Sequence, residues 1–254
     1  MAKATMPASL TPATHGRMGA LIRKELHFYL NSAVAWVVVT VFLFFTALWF
    51  FDIAKFLAQN VASLRSYFVV FPFFFVVLIP AITMRSWAEE LRMGTYEILL
   101  TMPYSQFQLV LSKFLAALIL ITAMLACSLV VPISVGFLGN FDLGVIITQY
   151  LGVLFLAAAE LAIGLFLSSL TKNQIVAFLG TMIILLLFTL LDLVTRGGTL
   201  PNWLNSGINF FALNYHFESF VKGILDSREL VFFGATGALF LFLCERRLVL
   251  RKWR

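Results

Sequence analysis

Six long apolar runs dominate this sequence, and five of them contain no charged residue. They cover residues 33–51, 67–84, 114–141, 143–170, 173–191 and 230–244. A membrane-spanning helix needs about 20 apolar residues, because each residue adds about 1.5 Å across a hydrocarbon core of about 30 Å. The run at 230–244 has only 15 residues, but the apolar residues 248–250 and snorkelling arginines can extend it. We therefore predict six membrane helices, with five as the alternative.

The composition excludes the soluble classes of protein. Hydrophobic residues make up 61% of the 254 residues and charged residues 12%, against about 45–50% and 25% in soluble domains. Six spans also leave too few residues for a folded catalytic or nucleotide-binding domain. Cys127 and Cys244 lie in different apolar runs, which indicates neither a disulfide framework nor a metal site. The predicted class is an all-α integral membrane protein that is not an enzyme and binds no cofactor or metal.

The distribution of Lys and Arg predicts the orientation. With six spans, 13 of the 18 basic side chains fall on the side that carries both termini. The positive-inside rule places that side in the cytoplasm, so we expect a multi-pass protein of the bacterial inner membrane. Anionic lipid explains the basic residues there, so no nucleic-acid partner is implied. Three pairs have the spacing of a capping box, and all three fall at predicted cytoplasmic helix starts: Ser86/Glu89, Ser105/Gln108 and Thr171/Gln174. This agreement either supports the predicted orientation or is a coincidence.

The predicted cytoplasmic loop at residues 85–103 has the pattern of two short helices joined by a glycine. Ser86 can cap the first helix, on which Trp87 and Leu91 share one face. Gly94 suits a left-handed helix end, and Thr95 can begin the second helix. This pattern predicts a helix–glycine–helix element at the membrane surface.

Two interpretations of this loop remain open. It is either an ordinary interfacial loop or an element that a soluble partner grips. Its acids, Glu89, Glu90 and Glu97, would be repelled by anionic lipid and so favour a protein partner. Leu99 and Leu100 are expected to form an exposed apolar knob beside them, as in an interface hot spot.

An amphipathic segment precedes the first span. At residues 17–31, Arg23 and Lys24 lie opposite a face that carries Leu21, Leu26 and Tyr29. We expect a helix lying at the membrane surface, which anchors the chain to lipid, contacts a partner, or does both. Residues 1–16 are expected to form a disordered tail.

Glu160 is the only charged residue inside a predicted span. It lies 12 residues before Lys172, or about 18 Å along the helix, near the middle of the bilayer. An unpaired charge there costs several kcal/mol. Glu160 is therefore expected to be a substrate-path acid, to make an interhelical hydrogen bond, or to form a structural tie to a polar group such as Thr122 or Ser128.

The segment between the last two spans is too interrupted to cross the membrane and too apolar to be a solvated loop. Its aromatic residues favour the membrane interface, so we predict a re-entrant or surface helical hairpin on the outer side. His216 has no cysteine or second histidine nearby, and we expect it to make an interfacial hydrogen bond rather than ligate a metal.

Four blocks of sequence resemble the type-2 (ABC-2) ATP-binding-cassette permeases, and in particular the gliding-motility-associated (GldF-like) subgroup. The most specific is Glu-x-x-x-Gly-Thr-x-Glu-x-Leu-Leu at residues 90–100. The others cover residues 79–86, 164–177 and 215–226. By this resemblance, residues 17–254 form one permease domain.

The resemblance implies that the chain is the permease subunit of an ABC transporter. It would dimerise with an identical or different permease, and a separate cytoplasmic ATPase carrying ATP and Mg²⁺ would dock on residues 86–102. The coupling residues would be Glu89, Glu90, Gly94, Thr95, Glu97, Leu99 and Leu100. The sequence contains no Gly-x-x-x-x-Gly-Lys-Ser/Thr motif with which to cradle ATP phosphates itself.

Gliding-motility-type systems also imply a membrane-anchored subunit with an extracytoplasmic domain. An alternative function is therefore a non-transporting scaffold that relays ATPase motion to that partner.

Overall fold

The computed structural model describes residues 14–56, 63–101, 104–137, 139, 141–196 and 201–252, and all regular structure in them is helical. The helices are α1 (Thr14–Leu30), α2 (Ala33–Leu48), α3 (Arg65–Phe68), α4 (Phe71–Thr83), α5 (Ala88–Met93), α6 (Thr95–Thr101), α7 (Gln106–Ser128), α8 (Val130–Gly136), α9 (Leu143–Leu170), α10 (Gln174–Arg196), α11 (Asn202–Phe211), α12 (Leu213–Val221) and α13 (Ser227–Lys252). A π-helical turn, Trp49–Ile53, continues α2. The expected disordered tail lies outside the described residues except for its last three, which belong to α1.

Six stretches of the described residues are long and apolar enough to cross a membrane, as predicted. They are span 1 (Ala33–Ile53), span 2 (Arg65–Met93), span 3 (Gln106–Gly136), span 4 (Leu143–Leu170), span 5 (Gln174–Arg196) and span 6 (Ser227–Arg251). The short sixth run becomes a full span because α13 extends through the polar residues at both of its ends. The alternative of five spans is therefore wrong.

Local sequence sets several helix boundaries. Pro132 lacks an N–H and clashes with the carbonyl four residues earlier, and the chain divides there into α7, which ends at Ser128, and α8, which begins at Val130. Ser105 and Gln108 form the predicted reciprocal capping box at the start of α7.

Spans 2 and 4 form the centre of the bundle. In each, 67% of the most apolar stretch is buried, against 22% in spans 5 and 6. Two glycines of span 4 allow close packing: a Cβ atom at Gly164 would lie 2.5 Å from Thr83 Oγ1 in span 2, and one at Gly152 would lie 2.3 Å from Phe220 Cβ in α12. Spans 5 and 6 consequently present most of their surface outward.

Short helices pack at the two ends of the bundle. Helices α1, α5 and α6 lie at one end, which we call the α5–α6 end. Helices α11 and α12 lie between spans 5 and 6 at the other, the α11–α12 end, and they form the predicted helical hairpin.

Candidate functional site

The helix–glycine–helix element forms at the expected break. Helix α5 ends at Met93, the φ of +72° at its C-cap Gly94 lies in the left-handed region, and α6 begins at Thr95. The left-handed conformation costs a residue with a side chain about 1–2 kcal/mol of conformational energy, so glycine suits this turn.

The start of α5 differs from the prediction. Ser86 does not cap the helix, which begins at Ala88 without a cap from its own N-terminal side chains. Instead, the amides of Trp87 and Ala88 each donate to Ser168 Oγ of span 4 at 3.2 Å. The same hydroxyl donates to the carbonyl of Met84 at 3.3 Å. A residue of span 4 therefore satisfies two free amides at the start of α5 and fixes the helix to the bundle.

One face of the element is buried in the protein. Trp87 and Leu91 lie on it as predicted, together with Tyr96 and Leu99. Leu99 is only 6% exposed, so the expectation that it forms an outward apolar knob is wrong. Its face is covered by residues of spans 3, 4 and 6, namely Leu109, Val110, Leu165, Cys244 and Leu248.

Tyr96 ties α6 to span 6. Its hydroxyl donates to the carbonyl of Leu248 at 2.9 Å. Burial raises the pKa of the Tyr96 phenol to about 12, so it stays a neutral hydrogen-bond donor at physiological pH.

A buried ion triad joins three elements at this end. Lys113 Nζ of span 3 lies 2.7 Å from Glu90 Oε1 of α5 and 3.0 Å from Glu25 Oε2 of α1. The Lys113 side chain is 3% exposed, and its ammonium group lies 4.9 Å from the centroid of the Trp87 ring. A buried charge needs such partners to offset its lost hydration.

The sequence carried a weak signal for this triad. Leu21, Glu25 and Tyr29 are spaced four apart on the buried face of α1, and Glu25 is the one acid on that face. Its partner, Lys113, is 88 residues away in the chain, which no local pattern could have matched.

The opposite face of the element points outward. Arg92, Met93, Gly94 and Glu97 are exposed, and Met93 reaches 60% exposure. We call these four residues the exposed tip. A residue in it is free to touch a partner, whereas the buried face is committed to the bundle.

The other predicted coupling residues lie beside the tip. Glu89 is half-buried and lies 3.8 Å from the Arg85 side chain. Thr95 is half-buried, and its hydroxyl lies 3.4 Å from the carbonyl of Glu90. The Leu100 side chain lies outside the described part of the structure.

Helix α1 has the predicted division into two faces. Arg23 and Lys24 are exposed, while Leu21 and Tyr29 are buried. Burial raises the pKa of Tyr29 to about 12. The buried face of α1 packs against span 3, where the triad forms.

Glu160 is fully buried in span 4, and neither of its carboxylate oxygens has a hydrogen-bond partner among the described residues. The suggested ties are not made. Thr122 donates to the carbonyl of Leu118, and Ser128 to that of Leu125.

His216 makes hydrogen bonds, as expected. Its Nδ1 contacts Glu229 Oε2, its Nε2 lies 3.2 Å from the carbonyl oxygen of Phe210, and its ring stacks on Phe232. The described residues contain no group of His, Cys, Asp or Glu that could hold a metal ion.

Residues 51–243, which are 193 of the 254 residues, match the family described as ABC-2 family transporter protein. No curated protein matches the chain. The matched region includes spans 2 to 5, the helix–glycine–helix element and the hairpin of α11 and α12. Family membership implies an ATPase partner and a dimeric assembly. Since the match covers about three quarters of a chain with six candidate spans, the protein belongs to the ABC-2 transporter family and is a non-catalytic, multi-pass permease subunit of an ABC transporter.

Proposed function

We propose that a separate cytoplasmic ATPase docks on residues 86–102 and drives this permease from the bacterial inner membrane. The observation that carries the proposal is the division of the helix–glycine–helix element into an exposed tip and a buried, anchored face. A docking lever needs both: a surface that a partner can grip and rigid attachments that carry the force.

Three contacts would transmit such a force from the helix–glycine–helix element to the bundle. Ser168 links α5 to span 4, Tyr96 links α6 to span 6, and Lys113 links α5 to span 3 and α1. ATP-driven closure of the ATPase pair would push the tip, and these contacts would pass the displacement to spans 3, 4 and 6.

Orientation and assembly follow the same proposal. The α5–α6 end is cytoplasmic, in agreement with the excess of Lys and Arg on that side. Span 5 is a good candidate for the dimer contact because it is long, apolar and only 22% buried. The partner there is a second permease, either identical or different.

The resemblance to gliding-motility permeases adds a further partner. A membrane-anchored subunit with an extracytoplasmic domain would meet the α11–α12 end. Exposed aromatic side chains on that end, such as Trp203 at 74% exposure and Tyr215 at 46%, suit either a protein partner or the membrane interface.

The proposal is tested by purifying the tagged full-length chain from native membranes in mild detergent. We expect it to bring with it a subunit that contains the Gly-x-x-x-x-Gly-Lys-Ser/Thr motif, at one ATPase per permease, and to stimulate its ATP hydrolysis. A permease recovered alone, in detergents that preserve known ABC complexes, would contradict the proposal. In a structure of the complex, a closed, dry dimer contact with a bound extracytoplasmic subunit would instead favour the non-transporting relay.

A further inference from the structure

A large apolar cavity lies beside span 6 at the α11–α12 end. Its volume is about 770 Å³, and spans 4, 5 and 6 together with α11 and α12 supply its walls. Cavities of about 300–1,000 Å³ are typical of small-molecule sites. Neither the ATPase-docking proposal nor the family match assigns this cavity a role.

The length of the cavity corresponds to one leaflet of a membrane. Along span 6 it runs from Ser227 and Arg228 to Leu239 and Phe240. Eleven residues of α-helix separate Arg228 from Leu239, which is about 16 Å at 1.5 Å per residue. Half of a hydrocarbon core of about 30 Å is about 15 Å.

The lining is apolar along this length and faces outward. Phe210, Phe211, Val231 and Leu239 contribute to it and are between 54% and 68% exposed. In water such a surface would be costly, at about 25 cal/mol for each Å². In a membrane, an acyl chain is the natural group to cover it.

The polar side chains of the lining are concentrated at one end. They are Ser227, Arg228 and His216, with Thr236 as the exception further along span 6. Both ring nitrogens of His216 are occupied, by Glu229 and by the carbonyl of Phe210. Arg228 is exposed and forms no ion pair with any residue in the described ranges. Its guanidinium group is therefore free to bind a phosphate, for which its planar donor geometry is well suited.

We propose that this cavity binds a phospholipid-type amphiphile, with an acyl chain along span 6 and an anionic phosphate headgroup at Arg228. The length of the cavity matches the chain, and the free cation at its end matches the headgroup. The occupant is a resident phospholipid of the surrounding membrane, because the apolar lining faces outward along the length of one leaflet.

The test uses the purified full-length chain in nanodiscs that contain a phosphatidylglycerol with a photoactivatable acyl chain. Labelled residues are mapped by mass spectrometry. We expect labelling to concentrate on the cavity residues of span 6. Ala235 lines the cavity, so Ala235→Trp should fill it and reduce this labelling about tenfold. Ala238→Trp is the matched control, because Ala238 is exposed on the same helix outside the lining.

A second pair of variants tests the headgroup. Arg228→Gln should lower phosphatidylglycerol labelling about tenfold and abolish the preference over a phosphatidylethanolamine probe with the same chain. Arg246→Gln removes another exposed arginine of span 6 and should change neither value. Labelling spread evenly over the outward faces of spans 5 and 6, or unchanged in Ala235→Trp, would overturn the proposal. The proposal would also be overturned if a second copy of the chain covered the cavity and prevented its labelling by the probe.

The last arm tests whether the lipid is resident and needs the ATPase complex. The bound probe should be retained on ATP addition, and its loss would overturn a resident lipid. The first two arms need no ATPase, so their result is independent of the docking proposal.

Discussion

The ammonium nitrogen of Lys113 lies 2.7 Å from a carboxylate oxygen of Glu90 in the α5–α6 end of the protein. The sequence pattern of the loop predicted that Glu90 is one of the acids that a partner would touch. The structure turns it inward, where it fastens α5 to span 3 and, through Glu25, to α1. Glu90 is thus an attachment of the helix–glycine–helix element rather than part of the exposed tip.

Replacing Lys113 with Met should destabilise the protein strongly. The change leaves Glu25 and Glu90 in a buried site without a cation, and breaking a buried pair in this way costs about 3–5 kcal/mol. We expect the thermal unfolding midpoint in detergent to fall by several degrees. Lys172→Met is the control, because Lys172 is exposed and forms no ion pair with any residue in the described ranges, so it should be replaceable without effect.

A triple variant separates lost charge pairing from lost packing. Adding Glu25→Gln and Glu90→Gln to Lys113→Met removes the uncompensated carboxylates and should recover much of the stability. If Lys113→Met has the same thermal unfolding midpoint as the wild type, the buried triad does not hold this end together.

Gly94→Ala should weaken the junction between α5 and α6. The added methyl group meets no atom within 4 Å, but the φ of +72° at Gly94 is unfavourable for alanine. We expect a loss of about 1–2 kcal/mol from this backbone conformation. Gly180→Ala is the matched control: Gly180 also has open space around it, but it lies inside α10. There alanine should stabilise by about 0.5–1 kcal/mol, so equal effects of the two changes would refute this explanation.

Substitutions at Glu160 distinguish function from structure. The carboxyl group is fully buried without a described hydrogen-bond partner, and burying an unpaired polar group is costly. We therefore expect Glu160→Leu to unfold at a temperature equal to or above that of the wild type. Glu160→Gln should fold normally but reduce permease-stimulated ATP hydrolysis in the reconstituted complex. Unchanged stimulation in Glu160→Gln would show that the carboxyl group has no part in transport.

Glu218 should make the α11–α12 end sensitive to acid. Its carboxylate lies 2.7 Å from Arg196, 3.0 Å from Lys222 and 3.4 Å from Arg65. Partial burial would raise its pKa, but the hydrogen bond to Lys222 and the nearby positive charges outweigh burial and lower it. A lowered pKa means that this carboxylate stabilises the fold above its unfolded pKa, about 4.5, and that the contribution is lost as the pH falls through the folded pKa.

Thermal unfolding followed from pH 7 to pH 3, a range set by carboxyl pKa values of about 4, tests this linkage. The drop in stability below about pH 4.5 should be smaller in Glu218→Gln than in the wild type. Asp52→Asn, at an exposed acid of the π-helical turn, should keep the wild-type profile. An identical profile in Glu218→Gln would exclude Glu218 as a source of the acid sensitivity.

Hydrophobicity and local geometry made the spans and the break at Gly94 predictable. Both depend on residues that are close in the chain, as does the capping box of Ser105 and Gln108. The direction in which a side chain of the helix–glycine–helix element points was harder to predict. Leu99 faces inward because residues of spans 3, 4 and 6 cover it.

The helix caps show that local sequence patterns are limited in the same way. Ser86 has the right spacing to cap α5, yet Ser168, more than 80 residues away, takes the amides. At the start of span 5, Asn173 Oδ1 accepts from the amide of Ile175, a local bond in place of the expected Thr171/Gln174 pair. A pattern that fits one partner does not exclude a better-placed one.

The most direct test of the proposed coupling is recovery of the ATPase by permeases changed at the exposed tip. Met93→Asp and Glu97→Lys alter two outward side chains without touching the buried face. Ile53→Asp and Asp52→Lys make the matched changes at exposed residues of the π-helical turn. We predict that the tip variants recover at least tenfold less ATPase than the wild type, equivalent to about 1.4 kcal/mol, while the controls recover it fully. Full recovery and normal ATPase stimulation in both tip variants would contradict docking on residues 86–102.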